Sequence, residues 1–233
     1  MRRTADLHLR PETLDEETIR RMADLAGEMR FSFIAVVLDL SISDKQKKDV
    51  LRMFKDRGIE AFTRTDLVYM RKQDLLRGLS KARARFDIVA VKCVNQPVSS
   101  VGFRDRRVDL VYFDPERPRS RIGDLFFKHT GRPVEVNLAD ILDVRFMSFG
   151  LRRAMQQVIE AKRHRVPILV SSGARNALSM SGSEEMAAFA SILGLAFSES
   201  RQVRSDVPIR IIEDRLSKRS PGYVSEGVRV VES

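Results

Sequence analysis

The sequence contains few of the side chains from which most cofactor and metal sites are built. Its 233 residues include one cysteine, three histidines, three tyrosines and no tryptophan. A single cysteine, Cys93, excludes an internal disulfide and any zinc-finger spacing, and it favours a reducing, cytoplasmic location. Because Cys93 lies in an apolar run, we expect an inert core thiol rather than a nucleophile.

Long apolar runs and glycine-rich motifs are missing as well. The best apolar run, residues 33–38, has the length of a strand, whereas a membrane span needs about 18 such residues. No apolar stretch follows the charges at the N-terminus, so we expect no signal peptide. The sequence has no Gly-x-Ser-x-Gly elbow, Walker loop or Gly-x-Gly-x-x-Gly motif, which argues against several hydrolase and nucleotide-binding classes.

Positive charge is present in excess. There are 42 lysines and arginines against 32 aspartates and glutamates, a net charge of +10, and the isoelectric point is about 10.2. A polyanionic partner fits this balance. The hydrophobic share of 43% is that of an ordinary globular chain and argues against disorder throughout.

Short β-branched apolar runs alternate with amphipathic segments along the chain. The predicted strands cover residues 4–9, 33–38, 61–65, 87–93, 108–113, 134–138 and 168–171. This alternation predicts an α/β fold with a parallel sheet. We expect a TIM-barrel-like (β/α) barrel of about seven strands over residues 1–216, with a doubly wound open sheet as the alternative. Residues 217–233 mix turn formers with charge and predict a flexible tail.

Three helices have readable signals. Thr13 with Glu16, and Ser43 with Gln46, form capping-box patterns that predict helix starts. Residues 148–163 have apolar side chains at helical spacing, and we expect five of them to be buried. These five are Leu151, Ala154, Met155, Val158 and Ile159.

The first predicted strand carries an incomplete metal-binding pattern. Strand alternation places Asp6, His8 and Arg10 on one face, towards the lumen or its mouth. The spacing resembles the Asp-x-His-x-His motif that opens the polymerase-and-histidinol-phosphatase metallohydrolases, with Arg10 in place of the second histidine. A metal-dependent phosphoesterase is therefore the alternative function. It would use Asp6 and His8 and draw further ligands from Asp39, Glu135 or Asp143.

The remaining signals concern anions. The loop Ser171-Ser172-Gly173-Ala174 follows a predicted strand, where backbone amides of barrels often hold a phosphate. That phosphate would belong to an RNA backbone or to a sugar phosphate, and a sugar-phosphate isomerase ranks last because no acid–base pair accompanies the loop. Arginine is the favoured phosphate partner, and aromatic residues are scarce. A folded RNA recognised through its backbone therefore fits better than a base-stacking platform.

Several segments together resemble ribonuclease P protein component 3, the archaeal form of the thirty-kilodalton ribonuclease P subunit family. They include residues 86–93 (Phe-Asp-Ile-Val-Ala-Val-Lys-Cys), residues 104–111 (Arg-Asp-Arg-Arg-Val-Asp-Leu-Val) and residues 134–138. The stretch 152–162 leading into residues 167–174 completes the set, and the similarity covers about residues 4 to 215. The string at 104–111 followed by Ser-Ser-Gly-Ala is its most specific part.

The resemblance implies an RNA-binding subunit of the ribonucleoprotein that removes the 5′ leader from precursor tRNA. It implies a barrel related to the metallohydrolases without their metal, no cofactor held by the protein, and Mg²⁺ used by the RNA subunit. The implied partners are the ribonuclease P RNA, component 2 in a heterotetramer of two copies each, other ribonuclease P proteins and, indirectly, precursor tRNA. RNA contact is carried over to Lys92, Arg104, Arg107, Ser172 and Gly173. Weaker candidates, chosen by charge at element ends, are Arg64, Arg83, Arg85, Lys128 and Lys162.

Overall fold

The fold is built on seven parallel strands, each paired with the next along the chain. The computed structural model describes residues 3–113, 131–142, 147–219, 223–225 and 228–229. The strands are β1 (Ala5–Leu9), β2 (Phe33–Val37), β3 (Glu60–Leu67), β4 (Ile88–Cys93), β5 (Leu110–Phe113), β6 (Val134–Asn137) and β7 (Ile168–Ser171). Their order in the sheet is their order in the sequence. The predicted strands and the parallel sheet are therefore confirmed.

Helices link and surround these strands. They are α1 (Glu16–Glu28), α2 (Asp44–Lys55), α3 (Lys72–Arg83), α4 (Gln96–Arg104), α5 (Leu138–Leu142), α6 (Met147–Arg163), α7 (Ser183–Ile192), α8 (Phe197–Gln202) and α9 (Asp206–Arg219). A 3₁₀ turn covers Ala177–Ser179, and Tyr223–Ser225 pairs antiparallel with Val228–Arg229. Across the ranges described above, no helix combines the length and apolarity that crossing a bilayer requires.

The sheet curls into a nearly closed barrel, as expected, rather than an open sheet. β2 pairs with the first half of β3, and β4 pairs with its second half from Arg64 onwards. This stagger tilts the strands, which closure requires. Between β1 and β7 the seam is bridged by the Arg10 amide, which donates to the Ala174 carbonyl at 2.7 Å, and by the Glu12 amide, which donates to the Arg175 carbonyl at 3.0 Å.

The barrel interior has an apolar half and a polar half. Near the N-terminal ends of the strands, apolar side chains fill the lumen, and Ile211 and Ile212 of α9 close this end from below. Alternation along each strand puts these residues inside and a second apolar set outside, under the helices. Towards the C-terminal ends, charged side chains replace the apolar ones, and this half contains the unusual chemistry.

Two local predictions need correction. α1 begins at Glu16, and its N-cap is Asp15 rather than Thr13: the Asp15 carboxylate accepts from the Thr18 amide at 2.8 Å, and the Thr13 hydroxyl donates to Asp15. The Ser43–Gln46 capping box is confirmed. The predicted tail begins too early, because α9 continues as helix to Arg219.

The buried face of α6 also differs from the prediction. Ala154 and Val158 are buried as expected, but Met155 and Ile159 are exposed and Leu151 is only partly buried. Gly150, Arg153 and Ala161 complete the buried face instead. Apolar residues lie on two faces of this helix, and sequence spacing alone does not tell which face packs against the barrel.

Candidate nucleic-acid interface

A fully buried arginine occupies the centre of the polar half of the lumen. From β3, the Arg64 side chain donates from Nε to Asp66 Oδ1 at 2.7 Å and from Nη1 to the Leu7 carbonyl at 2.7 Å. The same guanidinium binds both oxygens of Glu135, on β6, at 2.7 and 2.6 Å. Such bidentate pairing is the strongest ion-pair geometry available to arginine. Because all three nitrogens are engaged and no surface is exposed, Arg64 cannot serve as the RNA contact proposed from the sequence.

His8 lies beside this guanidinium with a side-chain oxygen close to each ring nitrogen. Its Nδ1 is 2.7 Å from Asn137 Oδ1 and 3.2 Å from Glu135 Oε2, while Nε2 is 3.1 Å from Asp66 Oδ2. Burial and Arg64 favour the neutral ring, but Asp66 and Glu135 outweigh them and raise the pKa of His8 to about 9. The imidazole is therefore a cation at neutral pH.

The two carboxylates respond in the opposite sense. Burial favours their neutral forms, but Arg64 and His8 outweigh it and lower the pKa of both groups. For Glu135 the pKa falls to about 2. Arg64, His8, Asp66 and Glu135, which we call the lumen ion cluster, thus hold two positive and two negative charges in balance.

Asp6 and His8 do not share a face, contrary to the strand alternation expected. The pairing of β1 with β2 shifts register between Asp6 and Leu9, the mark of a β-bulge. Ala5 and Leu7 face the lumen, and after the bulge His8 faces it as well. Asp6 instead turns towards the loop after β7, and Arg10 lies at the mouth, 3.7 Å from Asp140.

The loop after β7 is already occupied from within the chain. Ser172 donates from Oγ to Asp6 Oδ2 at 2.5 Å and from its amide to Asp6 Oδ1 at 3.3 Å. The Ala174 amide donates to Ser172 Oγ at 3.1 Å. Gly173 has a φ of +65°, and an added Cβ would lie 3.3 Å from Ala139 and Asn137, so glycine is needed for backbone shape. Ser172 is buried, and these amides are not free to hold an RNA or sugar phosphate.

The metal-ligating side chains proposed from the sequence are not brought together within the described residues. In the portion of the chain that the structure describes, no three histidine, cysteine, aspartate or glutamate side chains are arranged to hold a metal ion. Asp39 accepts from Ser41 in an exposed turn, Glu135 is bound by Arg64, and Asp143 lies outside the described residues. The phosphoesterase alternative is therefore not supported. The cation beside Glu135 is the guanidinium of Arg64, which, unlike a metal ion, has no coordination position for a substrate or water.

Cys93 behaves as the sequence indicates. The thiol is fully buried, and burial raises its pKa to about 12. A thiol with this pKa has almost no nucleophilic thiolate at neutral pH. Cys93 is a core residue.

Most arginines and lysines proposed for RNA contact already have partners within the chain. Arg83 binds Asp109 at 2.6 Å and three backbone carbonyls, and Arg85 binds the carbonyls of residues 40 and 42. Lys162 binds Glu199 at 2.7 Å. These cations connect elements, so they offer less to a phosphate than their charge suggests.

The other candidates differ in accessibility. Lys92 is partly buried on β4, opposite Tyr112 of β5, and Lys128 lies outside the described residues. Arg107 pairs with Asp105 at 2.7 Å and donates to Ser80 Oγ of α3 at 2.8 Å. Arg104 is exposed and has no side-chain partner within the described ranges.

The surface to which Arg104 belongs joins two elements that are separate in the sequence. The Arg107–Ser80 hydrogen bond holds the turn after α4 against α3, next to two exposed cations one helical turn apart, Arg77 and Lys81. Arg106 adds another exposed guanidinium on the turn. We call Arg77, Lys81, Arg104, Arg106 and Arg107 the α3–α4 basic surface. Asp105, which pairs with Arg107, and Asp74, 3.7 Å from Arg77, are its neighbouring carboxylates.

Together these features define a class of protein: a seven-stranded, TIM-barrel-like α/β protein whose lumen is closed by an internal ion cluster and whose helices carry a basic surface. Comparison with known proteins narrows the class. The model for the family described as RNase P subunit p30 matches residues 3–220. The chain belongs to this family, and it is accordingly a protein subunit of ribonuclease P.

Individual relatives agree with this assignment. Ribonuclease P protein component 3 of Methanosarcina barkeri is 25% identical over 223 residues, covering 93% of this chain and 91% of the relative. Its counterpart in Methanococcoides burtonii is 23% identical over 181 residues, covering 75% and 74%. A chain in the cryo-EM structure of archaeal ribonuclease P with mature tRNA shares the fold, with a TM-score of 0.82, 16% identity and coverage of 97% and 98%.

Proposed function

We propose that this subunit binds the ribonuclease P RNA through the α3–α4 basic surface and carries no catalytic chemistry of its own. The absence of catalytic chemistry is inferred from the position of Arg64. Its guanidinium fills the centre of the lumen, where a barrel hydrolase would need open coordination positions on a metal ion. The Mg²⁺ that the reaction uses is then held by the RNA subunit, and the protein binds no cofactor.

Support for the RNA-binding half comes from the distribution of charge. The chain carries a net charge of +10, yet many of its arginines are paired with carboxylates or carbonyls. On the α3–α4 basic surface four exposed cations lie close to only two carboxylates. Such a surface favours phosphates and gives no base-specific readout, which suits recognition of a folded RNA through its backbone.

The assembly is part of the same proposal. The family resemblance implies component 2 as the protein partner, in a heterotetramer of two copies each, with other ribonuclease P proteins and precursor tRNA met within the holoenzyme. The cytoplasm is the proposed location, which the lone reduced cysteine fits.

The test is a gel-shift titration of the ribonuclease P RNA in the presence of component 2. Replacing Lys81, Arg104 and Arg106 together by glutamine is expected to weaken binding and to reduce the slope of log K against log salt by about two to three, since each lost phosphate contact removes about one unit. The matched control replaces Arg20 and Arg21, exposed cations on α1, by glutamine. If both variants bind equally, or if wild-type binding is insensitive to salt, the proposed surface is wrong.

A further inference from the structure

An exposed apolar patch covers α6 and the neighbouring end of α7. Met155 and Ile159 lie one helical turn apart on α6 and are 37% and 51% exposed. Ile192, at the end of α7, is 58% exposed, and Phe197, which begins α8, is 77% exposed. We call these four residues the α6–α7 apolar patch.

The four side chains are brought to one side of the barrel by a specific connection. Lys162, one turn after Ile159, donates from Nζ to the Gly194 carbonyl at 3.2 Å and to Glu199 at 2.7 Å. Gly194 lies two residues after Ile192, and Glu199 lies two residues after Phe197. The C-terminal turn of α6 is therefore fixed against the segment that carries the other two apolar residues.

The patch is not needed for the barrel itself. α6 packs on the sheet through Ala154, Val158 and Ala161, on another face of the helix. Met155 and Ile159 are therefore spare apolar residues, although their spacing is that of a core-facing stripe. Contiguous large apolar side chains on the surface of a folded domain commonly mark a site of association.

Charge around the patch indicates the chemistry of what covers it. The nearby carboxylates are already neutralised, Glu199 by Lys162 and Glu160 by Arg163. Arg152, three residues before Met155 on α6, and Arg165, two residues after the helix ends, are exposed and have no side-chain partner among the residues described. The rim of the patch is thus positive, and it complements an apolar surface edged with carboxylates.

Topology separates this patch from the basic surface. α3 and α4 flank β4, whereas α6 and α7 flank β7. In a ring of seven strands, β4 and β7 are three steps apart in one direction and four in the other, so they lie on nearly opposite sides. An occupant of the patch and an RNA on the basic surface do not compete for space.

We propose that the α6–α7 apolar patch is the docking surface for a protein partner whose contact face is apolar and rimmed by carboxylates. This inference rests on the proposed function in one respect: the ribonuclease P assembly would supply such a partner. Apolar anchors at the centre of an interface usually carry most of its binding energy. Placing a charge at Ile159 therefore has a large predicted effect on protein association and little effect on RNA binding.

The experiment measures the affinity of the full chain for component 2, used as the protein probe, by isothermal titration calorimetry. Ile159→Asp and Ile192→Asp are each expected to weaken binding by about tenfold or more. The matched control is Leu178→Asp, which makes the same change at a side chain that is 99% exposed in the 3₁₀ turn after β7. Arg152→Glu tests the rim and is expected to weaken binding by a smaller factor that shrinks as salt is raised.

The outcomes separate this inference from the proposed function. Loss of component 2 binding with unchanged affinity for ribonuclease P RNA supports the docking surface. Equal binding of component 2 by wild type, Ile159→Asp and Ile192→Asp overturns it and leaves the proposed function intact. Loss of RNA affinity in Ile159→Asp, or a dimer of this chain that the substitution dissociates, also overturns it, in favour of RNA or a second copy. Wild-type chain that binds neither probe refutes the proposed function instead.

Discussion

Removing the Arg64 side chain is the perturbation to which this barrel should be most sensitive. Arg64→Met keeps much of the side-chain volume but deletes the guanidinium that binds Asp66, Glu135 and the Leu7 carbonyl. His8 is then the remaining cation of the lumen ion cluster, facing two buried carboxylates. The substitution leaves a negative charge without compensation, deep inside the protein.

The expected cost is large because a buried charge loses its partner while remaining buried. Breaking a buried ion pair from one side costs about 3–5 kcal/mol, whereas a single substitution at an exposed site usually costs within about 0.5 kcal/mol. Arg104→Met, at an exposed arginine with no partner within the described ranges, is the matched control. We therefore expect a difference of several kcal/mol in the free energy of unfolding between the two variants.

The assay is urea unfolding at about pH 6, where His8 and Arg64 are positively charged and Asp66 and Glu135 are negatively charged in the wild type. Far-ultraviolet circular dichroism is the appropriate probe, because the chain has no tryptophan for fluorescence. The double variant Arg64→Met/Glu135→Gln removes the uncompensated charge and is expected to recover about 1–3 kcal/mol over Arg64→Met. A cost below about 1 kcal/mol for Arg64→Met, or strict additivity in the double variant, would refute the ion-cluster account.

Other parts of the structure give further predictions. The pKa of His8 rises from 6.5 to about 9 on folding, so its stabilising contribution is complete below pH 6.5 and disappears as the pH rises through about 9. The free energy of unfolding should therefore fall between these two pH values in the wild type, and this fall should be absent in His8→Gln. Cys93 should resist alkylation in the native state at neutral pH and react only after unfolding, as followed by mass spectrometry; rapid native labelling would contradict its burial. Asp15→Ala should lower the midpoint of urea unfolding through loss of the α1 cap, and Thr13→Ala should lower it less. Equal shifts would contradict the assignment of Asp15 as the cap.

The strands and their parallel pairing are predictable from sequence because their signals are local, whereas the same signals leave a closed barrel and an open sheet equally possible. Seven β-branched runs separated by amphipathic segments leave little choice other than a parallel sheet, and the predicted ends lie close to the observed ones. The Ser43–Gln46 capping box is equally local. Thr13 failed as a cap because Asp15, two residues later, is an equally good capping residue with its own amide partner in Thr18.

The site is less predictable because its contacts join distant parts of the chain. Arg64 is 71 residues from Glu135, so its charge suggested a surface role until the fold brought the two together. One signal was available. Arg64 and Asp66 are two residues apart on β3, so their side chains lie on the same face of the strand, and most of this strand is buried. Both charges therefore lie inside the barrel. The bulge between Asp6 and Leu9 carries no sequence mark, and it separated Asp6 from His8.

The two surfaces show the same limit in different ways. The basic surface depends on the Arg107–Ser80 contact between a turn and a helix, which spacing within one element does not reveal. The apolar patch was hidden because Met155 and Ile159 have the spacing of core residues. For the basic surface, the net charge indicates a polyanionic partner and the tertiary structure indicates where it would bind; the apolar patch is visible only in the tertiary structure.

The measurement that tests the central claim most directly is precursor-tRNA cleavage by ribonuclease P reconstituted with and without this chain. We expect omission of the chain to lower kcat/KM for removal of the 5′ leader. We expect the chain incubated with precursor tRNA in the absence of the RNA subunit to cleave nothing. Equal cleavage with and without the chain, or cleavage by the chain alone, would contradict it.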